Sequence, residues 1–217
     1  MRTISATACA LVTLSPKPLY AHDGRPLAPH DVWGAWTFDA AIVVSLAIIA
    51  ILYAAGTRAL AERASPYGRL TRRRRTAAFV LGWSVLVVSL VSPLHAMGEV
   101  LFFAHMIQHE LLVAVAAPLV VMSRPFVRAV WALPDRARHL MVTVTRMRLV
   151  HSTWELVCHP AIAWTLHAAA LWLWHLPGLY EQTLSSDLAH AAQHASFLGT
   201  ALLFWWSLVR VRARRGV

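Results

Sequence analysis

One apolar run, residues 99–122, constrains the fold more than any other part of the chain, because it carries three ionisable side chains in its interior, beyond Glu99 at its start. The segment Ala-His-Met-Ile-Gln-His-Glu lies at residues 104–110, in the first half of the run. The run has the length that a helix needs to cross a hydrocarbon core of about 30 Å. Ionisable side chains inside a membrane are costly and are usually functional. The run therefore predicts a transmembrane helix and marks a candidate site within it.

Composition extends the membrane prediction to the whole chain. Hydrophobic residues make up 58% of it and charged residues 14%, and the mean hydropathy is +0.55. These values exclude both an ordinary soluble domain and a disordered chain. The net charge is +10, but the basic residues lie between apolar runs, as the positive-inside rule requires. Nucleic-acid binding is therefore not expected.

Five apolar segments are predicted as membrane-spanning helices, since an open backbone is not tolerated in lipid. They are residues 38–56, 76–91, 99–122, 160–176 and 187–209. Residues 1–21 have a basic start, a short apolar core and a polar break after Ala21, which is typical of a secretory signal peptide. The sequence thus predicts an all-α integral membrane protein, a bundle of about five transmembrane helices. Residues 22–217 form its single transmembrane helical domain.

The distribution of arginine predicts the orientation of these helices. Arginines concentrate in the connections after the first and third spans and in the C-terminal tail, whereas the opposite side has only Arg25 from His22 onward. We therefore expect a multi-pass protein of the bacterial cytoplasmic (inner) membrane, with its N-terminus outside and its C-terminus in the cytoplasm. The connection at residues 123–159 predicts an interfacial amphipathic helix. A solvated linker is the simpler interpretation of the charges in this connection. If the connection instead binds a partner, we expect that partner to be membrane lipid.

The pattern H-x-x-Q-H occurs twice, each time early in an apolar helix. Its histidines are His105 and His109 in the third span and His190 and His194 in the fifth. The i, i+4 spacing puts both histidines of a pair on one helix face, about 6 Å apart along the axis. Further candidates in the predicted outer half of the membrane or at its rim are His95, His167, His175 and Met106. Taken together, these residues predict a histidine cluster on the outward side.

The chemistry of the candidate ligands favours copper. Imidazole binds copper, zinc, iron and nickel, and an added thioether favours Cu(I). Gln108 and Gln193 are in place to orient ligands, as metal-bound imidazoles usually require. The two cysteines, Cys9 and Cys158, predict neither a disulfide nor a thiolate site. Two alternatives remain open from the residues alone: haem held between two histidines, and a cofactor-free polar network that braces the helices.

Several segments resemble the CtaG family of cytochrome c oxidase assembly factors, over nearly the whole chain from about Ala21. The segments that carry the resemblance are His105–Leu112, Ala117–Leu119, Ser123–Pro125, Leu171–Tyr180, His190–His194, Phe204–Trp206, His22 with Pro29–Trp33, and Trp36–Asp39. The resemblance also implies further membrane helices after the fifth span, which this sequence does not contain.

This resemblance implies a function. It implies a non-enzymatic membrane factor that works with cytochrome c oxidase subunits, by helping copper reach the binuclear centre of the oxidase. The alternatives from other classes are a small bis-histidine haem cytochrome and a histidine-braced scaffold or transport protein. Catalysis is not expected, because no nucleophile and general base converge in the predicted cluster.

Overall fold

The computed structural model describes residues 31–63 and 68–214, and no strand occurs among them. A short 3-10 turn, Val32–Gly34, precedes a series of helices. The helices are α1 Ala40–Glu62, α2 Arg69–Val91, α3 Pro93–Val100, α4 Phe102–Ser123, α5 Pro125–Ala132, α6 Asp135–Arg146, α7 Arg148–Val157, α8 Pro160–Trp174, α9 Pro177–Ser185 and α10 Asp187–Arg214. The all-helical prediction is confirmed for this part of the chain. The predicted signal peptide at residues 1–21 lies outside the described residues.

Three of the described helices, α1, α2 and α4, are each long and apolar enough to cross a membrane. A fourth span results if α7 and α8, which meet at a bend of 67°, are counted together. Helix α10 occupies the position of the predicted fifth span and has 28 residues, but it is not among the three helices that are long and apolar enough. The protein is a helical membrane protein, and the count of five spans and the orientation stay predictions.

The third span begins later than predicted, because residues 93–100 form a helix of their own. Ser92 caps this helix by accepting the Leu94 N–H, and Pro93 occupies its first turn. Both are signals that start a helix. Leu101 is extended, with φ −117° and ψ 112°, and separates α3 from α4. The prediction of one helix from Glu99 was therefore wrong at its N-terminal end, and His95 belongs to a short helix that packs on α4.

Helix α4 contains a π-helical segment, Leu111–Ala116, directly after its histidines. Ala117 N–H donates to the Leu112 carbonyl. The next such bond would need an N–H at Pro118, which proline lacks. The Val113 carbonyl instead accepts a hydrogen bond of 2.9 Å from Nε1 of Trp205 on α10. Pro118 thus leaves the Val113 carbonyl available for a hydrogen bond from α10 to α4. This contact lies after the histidines along both helices.

The opposite end of the bundle contains a close contact between α1 and α5. We call Tyr53, Gly56, Phe79, Ser123 and Arg128 the arginine junction. The buried Arg128 guanidinium lies 4.6 Å from the centroid of the Tyr53 ring and donates to the Ser123 carbonyl. Tyr53 stacks on Phe79 and donates from its hydroxyl to the Arg75 carbonyl at 3.0 Å. Each of these polar side chains therefore has a partner.

Candidate functional site

The four histidines of the two H-x-x-Q-H patterns face each other across the α4–α10 interface. Between helices, the ring centroids of His105 and His190 are 5.4 Å apart, and those of His109 and His194 are 5.0 Å apart. Within each helix the two rings are 4.2 Å and 4.4 Å apart. The sequence spacing put each pair on one helix face, and the packing of α4 on α10 brings the two faces together.

These four rings carry buried nitrogen atoms that lack hydrogen-bond partners among the described residues. His105, His109 and His194 are only 3%, 5% and 8% exposed. Within residues 31–63 and 68–214, the buried Nε2 atoms of all four histidines, and Nδ1 of His109, have no hydrogen-bond partner. Buried polar atoms in proteins are nearly always hydrogen-bonded, and each exception needs an explanation. Nitrogen atoms that converge without partners are what a cation-binding site would present.

His95 joins this cluster from the short helix α3. Its ring centroid lies 5.5 Å from that of His190 and 6.1 Å from that of His194. Burial, and secondly the nearby His105, lower the pKa of His95 below its ordinary value, so its ring is neutral at pH 7. We call His95, His105, His109, His190 and His194 the histidine cluster. It is built from three helices, and α3 is the one that the sequence pattern did not predict as a separate element.

Gln108 holds His95 in one orientation. The fully buried Gln108 amide donates from Nε2 to the Ser89 carbonyl at 2.8 Å and contacts Nδ1 of His95 at 2.9 Å. Because the same amide nitrogen donates to a carbonyl, Nδ1 of His95 is the acceptor, and the neutral ring carries its proton on Nε2. Gln108 was expected to orient a metal ligand. In the structure it orients His95, which lies on the neighbouring helix α3.

Gly98 makes this arrangement possible. A Cβ at this position would lie 3.0 Å from Oε1 of Gln108 and 3.4 Å from the Cα of His105. A larger residue would therefore require the Gln108 side chain to shift by a few tenths of an ångström. Sequence reasoning did not identify Gly98, because a glycine in a short helix gives no signal of what packs against it.

The other candidates lie outside the histidine cluster. His175 is exposed at the C-terminal end of α8, with Nδ1 2.6 Å from the Leu171 carbonyl. His167, on the same helix, is 2.9 Å from the Thr200 hydroxyl and stacks on Phe204. That contact braces α8 against α10, which is the ordinary role of a lone buried histidine.

Two residues next to the cluster histidines also face away from them along α4. The helix turns Met106 about 100° from His105, and Glu110 by the same angle from His109. Met106 is half-buried and Glu110 is exposed. Neither residue therefore shares the face that the cluster histidines occupy.

Two aromatic residues that sequence reasoning missed enclose the cluster. Phe197 is fully buried, and its ring lies 4.8 Å from His109 and 6.3 Å from His175. Tyr180 on α9 meets the ring of His105 edge to face at 6.5 Å. Phe197 follows His194 by three residues, a spacing that places both on one face of α10. That spacing could have indicated Phe197, whereas the position of Tyr180 depends on how α9 folds back.

The ring separations are compatible with a shared metal ion. Two imidazoles on one ion place their centroids about 5–6 Å apart, because each metal–nitrogen bond is about 2.0–2.1 Å. The cross-helix distances of 5.0 and 5.4 Å fall in this range. As placed, no group of three or more His, Cys, Asp or Glu side chains in the described ranges is arranged to hold a metal. The cluster therefore has the donor chemistry of a metal site without a preformed set of three ligands among the described residues.

Comparisons with known proteins identify related sequences. A family model described as cytochrome c oxidase caa3 assembly factor (Caa3_CtaG) matches residues 51–216. Two curated proteins described as uncharacterized, from Mycobacterium bovis and Mycobacterium tuberculosis, are each 27% identical to the chain over 185 residues. The match covers 81% of this chain and 26% of each relative, so the chain spans about a quarter of their length. No solved structure matches the chain.

Proposed function

This chain belongs to the family of cytochrome c oxidase caa3 assembly factors (Caa3_CtaG), and from that membership we propose that it handles copper for an oxidase under assembly. The histidine cluster is the proposed copper site, and copper is its cargo. Cytochrome c oxidase subunits are the proposed partners that receive the metal. The protein works in the bacterial inner membrane, with the cluster near the outer face, where copper arriving from outside the cytoplasm meets it first.

The unpartnered imidazole nitrogens are the observation that carries this proposal. A histidine that only braces helices has a hydrogen-bond partner, as His167 does with Thr200. In the cluster, four Nε2 atoms on two helices are buried without one in the described part of the chain. Leaving these atoms unpaired costs free energy, and a bound cation would compensate for that cost.

The donor set suits copper, although the Met106 thioether that would favour Cu(I) lies off the face of the cluster histidines. Neutral imidazole is a ligand for copper, and no thiolate or carboxylate takes part in the cluster. Four free Nε2 atoms give more than one pair of histidines that a copper ion can occupy. Exchange between such pairs lets a carrier take up the ion and release it, which a single closed site does less readily.

We propose a different role for His95 from that of the four other histidines. Its Nδ1 accepts from Gln108, so Nε2 bears the proton and is not free to bind a metal ion in this tautomer. A metal-bound histidine usually donates its second N–H to an acceptor. We therefore assign copper binding to His105, His109, His190 and His194. His95 borders the site and keeps it polar.

The haem alternative is less well supported by the geometry. A haem between two axial histidines requires a flat apolar slot wide enough for the porphyrin. Here the cluster rings contact each other at centroid distances of 4.2 to 6.3 Å. This mutual packing favours a small ion over a large planar group.

Oxidase maturation in cells tests the proposal. In a strain that lacks its own copy of the gene, we expect the wild-type chain to restore the copper content and activity of the oxidase. A chain with His105→Ala and His109→Ala should insert into the membrane at the normal level but fail to restore either. The control is His167→Ala, which removes a buried histidine of the same bundle outside the cluster. Full restoration by the double variant would contradict the proposal.

A further inference from the structure

Two consecutive helices, α6 and α7, expose apolar stripes that nothing in the described bundle covers. On α6, the residues Ala137, Leu140, Met141 and Val144 fall within about 100° of arc. Leu140 remains 66% exposed. On α7, the stripe continues with Leu149, Val150 and Leu156, of which Leu149 is 78% exposed. Neither helix belongs to the candidate spans α1, α2 and α4. Contact of those spans with lipid therefore does not by itself explain why the apolar residues of α6 and α7 are exposed.

The geometry of α7 places it close to the plane of a membrane. It meets α8 at a bend of 67°. The 15 residues of α8 extend only about 22 Å, short of a 30 Å core. The ten residues of α7 extend about 15 Å, of which about 6 Å lies along the α8 axis. If α8 crosses the membrane, α7 therefore runs nearly parallel to the surface, at the depth of the headgroups.

Two contacts fix α7 in this position. Glu155 forms an ion pair with Arg210 of α10, and the Trp154 ring lies 6.4 Å from that of Trp206. These contacts hold one side of α7 against the bundle. Leu149 and Leu156 lie on another side, about 100° or more away around the helix, and remain exposed. The apolar stripe thus has a fixed direction relative to the spanning helices.

Basic side chains border the stripes. Arg136 lies about 90° from the centre of the α6 stripe, and Arg148 lies about 90° from the side of α7 that carries Leu149 and Leu156. Both are exposed. Arginine side chains at the edges of an apolar stripe reach the phosphate layer while the apolar residues enter the lipid. Charge and apolar surface therefore match an anionic membrane surface.

We propose that α6 and α7 form an arm that lies on the membrane and binds anionic phospholipid headgroups through Arg136 and Arg148. The apolar stripes enter the boundary between headgroups and acyl chains. The arm lies at the arginine-rich end of the bundle, distant from the histidine cluster. This inference is independent of the copper proposal, and either can fail without the other.

Spin labels on the two sides of α6 test the arm in the full-length protein. With Cys9→Ala and Cys158→Ala as background, single labels are placed through Leu140→Cys on the stripe and Thr145→Cys about 140° away. The protein is reconstituted in vesicles of phosphatidylcholine, with or without about 30% phosphatidylglycerol. Collisions with oxygen, which enters lipid, and with a nickel chelate, which stays in water, report the depth of each label.

We expect the label at Leu140 to be protected from the chelate and exposed to oxygen, and the label at Thr145 to show the reverse. Phosphatidylglycerol should shift the Leu140 label deeper. A variant with Arg136→Gln and Arg148→Gln should lose that shift. The matched control is Arg69→Gln and Arg73→Gln at the exposed start of α2, which removes the same charge and should keep it.

Two results would overturn the inference. Equal access of the chelate to both labels would show that the arm is in water, as a linker or a docking surface for another protein. Equal depth with and without phosphatidylglycerol would show that the arm does not bind anionic headgroups.

Discussion

The histidine cluster and the arginine junction both bury polar side chains between helices. The two regions differ in whether these buried polar groups have interaction partners. In the junction, Arg128 has the Ser123 carbonyl and the Tyr53 ring as partners, and the Tyr53 hydroxyl has the Arg75 carbonyl. In the cluster, the Nε2 atoms of four histidines have no partner within the described residues. Burying an unpaired polar group costs about 1–3 kcal/mol, whereas a paired one contributes modestly to stability. The junction thus holds the bundle together, and the cluster keeps its nitrogens free for a ligand.

The largest effect on stability should come from Gly56→Ala in the junction. A Cβ at Gly56 would lie 1.8 Å from the Arg128 carbonyl oxygen, which is backbone and cannot move aside alone. Overpacking a core costs about 1–3 kcal/mol and occasionally more, and here we expect at least about 3 kcal/mol. The measurement is the midpoint of thermal unfolding in detergent. Gly199→Ala, whose Cβ would meet nothing within 4 Å, should leave the midpoint unchanged or raise it. Equal midpoints for the two variants would contradict the close α1–α5 contact.

Replacing the two glutamines of the repeated pattern should test the two hydrogen bonds that the Gln108 amide makes to Ser89 and His95. Gln108→Leu leaves the Ser89 carbonyl and Nδ1 of His95 without a partner, which should cost about 2 kcal/mol. Gln193 is equally buried, and its Oε1, like that of Gln108, has no partner in the described part of the chain. Its replacement by leucine removes neither of the two hydrogen bonds that Gln108 makes.

Gln193→Leu should therefore change the unfolding midpoint much less than Gln108→Leu does. Both variants are compared with the wild type by thermal unfolding and by Cu(I) competition. A larger loss of stability for Gln193→Leu would mean that the roles of the two amides are reversed.

A smaller effect is expected at the neighbouring tryptophans of α10. Trp205→Phe removes the donor to the Val113 carbonyl in the π-helical segment, at a cost of about 1 kcal/mol. Trp206 Nε1 is buried without a partner among the described residues, so Trp206→Phe should be close to neutral. Thermal unfolding of the two variants under one set of conditions decides the point. Similar losses for both would indicate that ring volume, not the hydrogen bond, ties α10 to α4.

The sequence predicted the local arrangement of the site better than its tertiary assembly. Helical spacing was enough to place His105 with His109, and His190 with His194, because both pairs lie within one continuous helix. Helical spacing could not separate α3 from α4, because the break at Leu101 occurs at a residue with high helix propensity. The start of α3, in contrast, was indicated in the sequence by Ser92 and Pro93.

The estimated depth of a histidine in the membrane was also a poorer guide to the site than the contacts between helices. His167 and His175 lie eight residues apart on or next to α8, so both were candidates by depth. The structure pairs His167 with Thr200 instead. Likewise, Gln108 reaches His95 across a helix interface, and no spacing rule within α4 predicts that contact. Partners of buried polar groups are set by tertiary packing, which periodicity does not encode.

Copper retention by the purified protein tests the central claim, that the cluster keeps its nitrogens free for a metal ion. Detergent-purified wild type, His167→Ala and the double variant His105→Ala with His109→Ala are loaded with Cu(I) without oxygen, freed of loose metal and analysed for copper and absorbance. We predict that wild type and His167→Ala retain copper and that the double variant loses it. Equal copper in all three proteins, or haem absorption bands in the wild type, would contradict the account.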